Sequence, residues 1–239
     1  MSPGPVIDPG AVRAICFDLD NTLWEIDPVL IRAERILADW LRSRYPRITE
    51  RFSAEQMVEA RATLTREEPH RAHDFTYLRR ESLARLAAAA GYESGLAGTI
   101  SHEAFSTWHA ARNLCEPYGD VVPALQRLRG EFRLATLTNG NADLVCIGLA
   151  HHFEVSLHAG ALGCAKPDVR VYHALADALT LKPAEILFVG DEPHADVVGP
   201  RAAGMQTVWV NRVGATWPEA LPAADADVTD LAGLVKLLT

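Results

Sequence analysis

With 239 residues, 49% of them apolar and 23% charged, the chain can fill one large domain, or a core with a smaller insert, of an ordinary soluble globular protein. Its net charge of −8 excludes a general nucleic-acid binder, which needs a basic surface to neutralise phosphates. A small anionic substrate stays open, because local charge or a bound metal decides that. Residues 1–10 are rich in Pro and Gly and lack an apolar h-region, so no signal peptide is expected; nor is any apolar run long enough to span a bilayer. Cys16, Cys115, Cys146 and Cys164 are scattered without a C-x-x-C pair, which predicts a cytoplasmic chain with neither disulfides nor a structural zinc.

In chain order, 1–10 reads as a loose arm and 12–17 as a first, fully apolar strand. Leu30, Ala33, Ile36 or Leu37, Trp40 and Leu41 recur at three- and four-residue spacing, which predicts a helix over 28–44 opened by Pro28. Ser53 and Gln56 have capping-box spacing at the head of a helix over 53–67. Two further helical patterns, 75–90 and 94–113, are separated by Gly91. No strand pattern occurs from 27 to 115, so this block is all-helical. After 116–119 strands alternate with helices: helix 120–129 with Asp120 as N-cap, strand 133–137, helix 142–150, strand 154–158 and helix 169–179. The last of these carries apolar Val169, Tyr172, Leu175, Ala176 and Leu179. Then come strand 186–189, helix 195–203, strand 207–210, an edge strand 225–228 and a helix from Leu231. Such alternation predicts an α/β fold, a doubly wound parallel sheet formed by 1–24 and 116–239, with 25–115 as an inserted helical domain. Ligands bind such sheets beyond the C-terminal strand ends, so an insert leaving the end of the first strand suits a lid.

The strand ends carry the reactive residues. The first delivers Asp18, Asp20 and Thr22; the second Thr138, Asn139, Gly140 and Asn141. Lys166 follows the third, and Asp191, Glu192 and Asp196 follow the fourth. Carboxylates crowded on one patch repel one another, so the cluster implies a bound cation or raised pKa values. Hard oxygen ligands with no His or Cys beside them favour Mg²⁺. Lys166 adds a fixed positive charge. Thr138, with Thr22 and the N–H groups around Asn139 and Gly140, can face an anion, and together these groups suit a phosphoryl group. Asp18 is then the natural nucleophile and Asp20 the proton donor and acceptor. Taken singly, Asp-x-Asp-x-Thr is also ordinary turn chemistry, and Lys166 before Pro167 an ordinary solvated lysine. The common order of four strand ends is what unites them.

Asp18-x-Asp20-x-Thr22, Thr138, Lys166 and Gly190-Asp191-x-x-x-x-Asp196 together resemble the four-motif pattern of the haloacid dehalogenase superfamily, and block 25–115 resembles that superfamily's first class of helical cap. The resemblance implies a Rossmann-like core and a phosphorylated Asp18 with Asp20 as acid/base. It also implies Mg²⁺ on Asp18, the Asp20 backbone carbonyl and Asp191, with Asp196 supporting them from behind. Glu192 stands where some members have another acid. Glu68-Pro69, His73-Asp74-x-Thr76-x-x-Arg79 and Thr138-Asn139-Gly140-Asn141 are similar to the bacterial phosphatases that act on flavin mononucleotide and on the riboflavin precursor 5-amino-6-(5-phosphoribitylamino)uracil. That likeness implies a small phosphorylated metabolite as substrate, in a monomer or dimer with no nucleic-acid or membrane partner.

The cap cluster His70, Arg71, His73, Asp74 and Arg79 reads either as a solvated, self-paired face or as a substrate selector, with His73 or Arg79 meeting a polar leaving group. Trp24 and Phe75 read as core residues or as stacking surfaces for a flat ring. A phospho-accepting receiver module would also place Asp, Thr and Lys at strand ends, but it needs neither Asp20 nor a lid. A 2-haloacid dehalogenase of the same superfamily needs no metal and no second aspartate. A mutase would pass the phosphoryl group to a sugar instead of water.

Overall fold

Every residue of the first strand is completely buried, as expected of a central strand in a parallel sheet covered on both faces. The computed structural model describes residues 7–239. Six strands, β1 (Ala14–Phe17), β2 (Arg133–Thr138), β3 (Val155–His158), β4 (Ile186–Gly190), β5 (Gln206–Val210) and β6 (Ala226–Val228), form one sheet in the order β3-β2-β1-β4-β5-β6. All pairings are parallel, with Phe17 beside Thr136 on one edge of β1 and beside Val189 on the other. The strand order reverses between β1 and β4, and all six strands end on the same side. A doubly wound sheet opens its ligand crevice at such a switch point.

By Cα packing the chain divides into two units. One comprises 1–25, 116–140 and 147–239; the other comprises 26–115 and 141–146. The second is built from α1 (Asp27–Arg44), α2 (Pro46–Arg51), α3 (Ala54–Glu67), α4 (Phe75–Ala89) and α5 (Ser94–Arg112). Ala33, Leu37 and Leu41 of α1 share one apolar cluster with Ile48, Leu83, Ala87, Ile100, Ala104 and Trp108. Ser53 and Gln56 make both bonds of the capping box, and Asp74 accepts the Tyr77 N–H to start α4. Gly91, at φ +84°, turns the chain out of α4.

In the α/β unit, α6 (Val121–Leu128) packs on the C-terminal helix. The short α7 (Leu144–Ile147) falls largely in the helical unit, and the α/β unit continues with α8 (Ala159–Leu162), α9 (Val169–Leu179), α10 (Gly199–Ala202) and α11 (Leu231–Leu238). One sheet face buries Ala14, Cys16, Leu137 and Phe188 under Val171, Tyr172, Leu175 and Leu179 of α9. The alternate residues Ile15, Phe17, Leu187 and Val189 are equally buried on the other face.

Several local expectations change. Ile7 is buried and the Asp8 N–H donates to Gln206 Oε1 at 2.8 Å, so residues 7–10 are held; the rest of the expected arm lies outside the described residues. A helix over 142–150 shrinks to the single turn α7, because Gly148 sits at φ +85° and breaks it. Segment 141–146 packs with the helical unit, where the Asn141 carbonyl accepts from His109 Nε2 at 2.7 Å and the Asp143 N–H donates to Asn113 Oδ1 at 2.8 Å. Val169 is 38% exposed, and Val171 takes the buried place on α9. Asp120 begins α6 without capping it, since its carboxylate is held by Arg212 and by the Leu231 N–H. The helix over 195–203 opens as a π-helical turn, Pro193–Val198, before α10.

Gly199 begins α10 against the Tyr172 ring, and an added Cβ would lie 2.8 Å from ring carbon Cε2. Gly199→Ala should lose about 1–3 kcal/mol by overpacking. Gly98, exposed inside α5 with nothing within 4 Å of an added Cβ, offers the opposite case. Gly98→Ala should gain about 0.5–1 kcal/mol of helix propensity. Urea unfolding of both variants against wild type checks the pair.

Candidate active site

The Asp18 N–H still donates to the Val189 carbonyl at 2.9 Å, so this carboxylate leaves the backbone while β1 is registered on β4. The chain then turns. Leu23 N–H reaches the Leu19 carbonyl at 2.7 Å, and Asn21 takes φ +62°, a left-handed conformation that Asn tolerates better than most residues. This turn gives the two acids different surroundings. Asp18 is 7% exposed and meets Lys166 Nζ at 2.7 Å. Asp20 is half-buried, and its Oδ1 accepts from Trp24 Nε1 at 2.8 Å. Trp24 is itself completely buried, which fixes the direction of the Asp20 carboxylate.

Lys166 is 5% exposed and lies between two acids, with Asp196 Oδ1 at 2.6 Å on its other side. The Asn139 side chain locks the Lys166 backbone: Nδ2 donates to its carbonyl at 3.0 Å and Oδ1 accepts its N–H at 2.8 Å. Thr138, buried at the end of β2, accepts the Gly140 N–H at 3.0 Å. Asp191 follows β4; its Oδ1 accepts from the Thr22 hydroxyl at 3.2 Å and its carbonyl from Trp209 Nε1 at 2.7 Å. Asp196 uses both oxygens, one on Lys166 and one on the Glu192 N–H at 2.9 Å. It lies so close to Gly190 that a Cβ there would overlap its carboxyl. Glu192 caps the π-helical turn by accepting the Ala195 N–H.

Asp18, Asp191 and Asp196 bring carboxylate oxygens within 4.8 Å of one another. Burial pushes Asp18 well above the usual carboxylate range; Lys166 opposes this, and Asp196 and Asp191 add to it. Burial and the Asp196 charge raise Asp191 to about 6. Burial alone would lower the Lys166 ammonium, but Asp18 and Asp196 more than offset it and hold it above its ordinary value. Three acids thus surround one ammonium, and the surplus negative charge fits a hard cation. Asp196 has both oxygens engaged, whereas Asp18 and Asp191 each have one oxygen in a side-chain bond. These two are the better placed to ligate it.

In the helical unit, Arg79 is 7% exposed, pairs with Glu34 at 2.6 Å and stacks on Trp108 at 3.6 Å. Burial lowers it to about 10, against the opposing bond from Glu34. His73 is half-buried, Asp74 caps α4, and His70 and Arg71 are exposed, with Arg71 over the Tyr77 ring. Phe75 is 48% exposed. Absent from the sequence expectations are Trp209, Arg212 and the close approach at Gly190. The first two lie at the end of β5, where the same strand-end rule would have found them.

The haloacid dehalogenase-like hydrolases match this chain over residues 12–204. The chain belongs to that family. As a haloacid dehalogenase-like hydrolase it is 31% identical over 236 residues to the 5-amino-6-(5-phospho-D-ribitylamino)uracil phosphatase YigB of Escherichia coli (strain K12), covering 96% of this chain and 97% of that one. It is 34% identical to a phosphoserine phosphatase of Thermus thermophilus, over 92% and 96% of the two chains. The crystal structure of a 2-haloacid dehalogenase from Pseudomonas syringae pv. Tomato DC3000 superposes with a TM-score of 0.90 at 34% identity, covering 95% of this chain and 98% of that one. Among the described residues no helix is long and apolar enough to cross a membrane, and all four cysteines are free.

Gly190→Ala should drive the Asp196 carboxyl off Lys166 and cost at least tenfold in kcat, about the loss expected when the support of a site is removed. Steady-state kinetics on folded variant measure it. The raised acids set a pH dependence. Folded Asp191 keeps its proton up to about pH 6. The unfolded chain releases it near pH 3.9. Without a cation, stability should therefore fall as pH rises from about 4 to about 6. Thermal unfolding in EDTA across that range is the measurement, and a rising melting temperature would contradict the strained acid cluster.

Proposed function

We propose that the chain is a Mg²⁺-dependent phosphomonoester hydrolase acting through an aspartyl phosphate on Asp18. The observation that carries this reading is the second acid: Asp20, held by Trp24 just past the buried Asp18–Lys166 pair. A nucleophile alone suffices to displace a halide. Freeing a phosphorylated aspartate and protonating an alcohol leaving group call for a separate acid and base.

In this mechanism Asp18 attacks phosphorus while Asp20 protonates the departing oxygen. Asp20 then takes a proton from the water that opens the acyl phosphate. Lys166, the Thr138 hydroxyl and the N–H groups around Asn139 and Gly140 offer positive charge and donors to the phosphoryl oxygens, with Thr22 behind Asp191. Asp18, Asp191 and the Asp20 backbone carbonyl would hold Mg²⁺, with Asp196 supporting Lys166. When bound, the ion neutralises the acid cluster and polarises the phosphoryl group.

Residues 25–115 serve as the substrate-selecting insert, with His73 as its half-buried polar group and Arg79 holding Glu34. Near-full-length similarity to a riboflavin-precursor phosphatase supports a small phosphorylated metabolite of the flavin series, flavin mononucleotide included, handled in the cytoplasm. A second reading, metal-independent 2-haloacid hydrolysis, is favoured by the 0.90 TM-score to a structure described as a dehalogenase.

Asp18→Asn should abolish turnover of p-nitrophenyl phosphate while the fold survives, and Asp20→Asn should lower kcat by about 10²–10⁴. EDTA should remove activity and Mg²⁺ restore it. A screen of phosphorylated metabolites should rank flavin mononucleotide or its precursor above unrelated phosphates. Chloride release from 2-chloropropionate in EDTA, with no phosphatase activity, would overturn the reading in favour of the dehalogenase.

A further inference from the structure

Arg212 lies just past β5, at a strand end that the phosphatase chemistry leaves unused. Only 11% of its side chain is exposed. Nε donates to the Thr22 carbonyl at 3.0 Å, and Nη1 and Nη2 donate to the two oxygens of Asp120 at 3.1 and 3.0 Å. The guanidinium also lies over the Tyr118 ring, 4.0 Å from its centroid. Asp120 is fixed in turn: it precedes α6 and accepts the Leu231 N–H at the head of α11 at 2.7 Å. Arg212 is therefore a rigid fork. Its two Nη atoms are bolted to the Asp120 carboxylate at two helix starts, and its Nε–H is directed at the Thr22 carbonyl.

Thr22 is completely buried and ties the turn after β1 to the next strand end. Its N–H bonds Leu19 inside the turn, its carbonyl takes Arg212, and its hydroxyl donates to Asp191 Oδ1. The position of the Thr22 backbone thus decides where the hydroxyl meets Asp191. It also decides which Asp191 oxygen is committed to that bond.

We propose that Arg212 is a positioning residue for the divalent-cation site. By gripping the Thr22 carbonyl it holds the Thr22 hydroxyl on one oxygen of Asp191 and so presents the rest of that carboxylate to the cation. This rests on the reading of Asp191 as a Mg²⁺ ligand. A staple that only joined the C-terminal helix to the core would affect stability and leave cation affinity alone.

Calorimetric titration of Mg²⁺ into the full chain separates these roles. Arg212→Met should weaken Mg²⁺ binding about tenfold or more, the usual consequence of losing a group that orients a metal ligand. Arg212→Lys should recover part of it, since one donor can still reach the Thr22 carbonyl. Because the effect passes through Thr22, the Arg212→Met/Thr22→Val pair should bind no more weakly than Thr22→Val alone. At saturating Mg²⁺ the KM for p-nitrophenyl phosphate should return to the wild-type value. Far-UV circular dichroism confirms folding, and should Arg212→Met fail to fold, Arg212→Lys and Arg212→Gln carry the test. Folded variants with wild-type Mg²⁺ affinity, or losses that multiply in the double variant, would overturn the proposal and leave the phosphatase reading standing. A wild-type chain that binds no Mg²⁺ would overturn both.

Discussion

An ammonium buried between two carboxylates sets the terms for the whole site. Removing Lys166 from water costs several kcal/mol, and only close, well-directed partners recover that cost. Asp18 and Asp196 supply them, at 2.7 and 2.6 Å. Asp18 follows β1 directly and Asp196 sits in the π-helical turn after the adjacent β4, so β1 and that turn must be held in register. Gly190 is then required, because Asp196 occupies the volume a side chain would take. Asn139 is required as well, since it is what brings the Lys166 backbone under the pair. The positive charge thus does structural and chemical work at once. It ties the segment before α9 to the end of β1 and to the turn after β4, and it lets more acid gather there than the surroundings could otherwise hold.

Relatives of this chain are described as phosphatases and as a haloacid dehalogenase, on one fold and at similar identity. A fold shared so widely cannot choose between a carbon–halogen and a phosphorus–oxygen bond. The choice has to come from individual side chains at the site. In this chain the half-buried acid bound to Trp24 and the acid bound to Thr22 are both aimed by completely buried neighbours. Aim matters here because a carboxylate rotated away from the reacting oxygen has lost its role although it is still present.

The sheet and the acid cluster were legible in the sequence because both obey short-range rules. Four consecutive apolar residues ending in Asp18 announce a buried parallel strand, and the same punctuation recurs at Thr138 and Gly190. The helical insert was legible for a different reason, its 3.6-residue spacing and the Ser53–Gln56 capping box. What escaped depends on contacts between distant residues. Asp120 has the look of a helix cap, yet Arg212, ninety-two positions away, claims its carboxylate. The Asn139 side chain gives no hint in the sequence that it locks the Lys166 backbone, twenty-seven positions away. Arg79 reads equally as a self-paired residue or a substrate contact, and its pairing with Glu34 and Trp108 joins residues forty-five and twenty-nine positions away. The π-helical turn that carries Asp196 was equally invisible, since nothing in its composition separates it from an α-helix.

Residues 141–146 count with the helical unit, although they lie far from it in sequence. The chain therefore passes between its two units at 25/26, 115/116, 140/141 and 146/147, where a simple insertion would need only the first two. As a module, then, the insert is discontinuous. A swap of residues 26–115 between family members would leave His109 and Asn113 facing a foreign segment in place of Asn141 and Asp143. The stretch just after the Thr138 motif should change in step with the insert over evolution, and a chimaera that keeps these contacts has to carry both pieces.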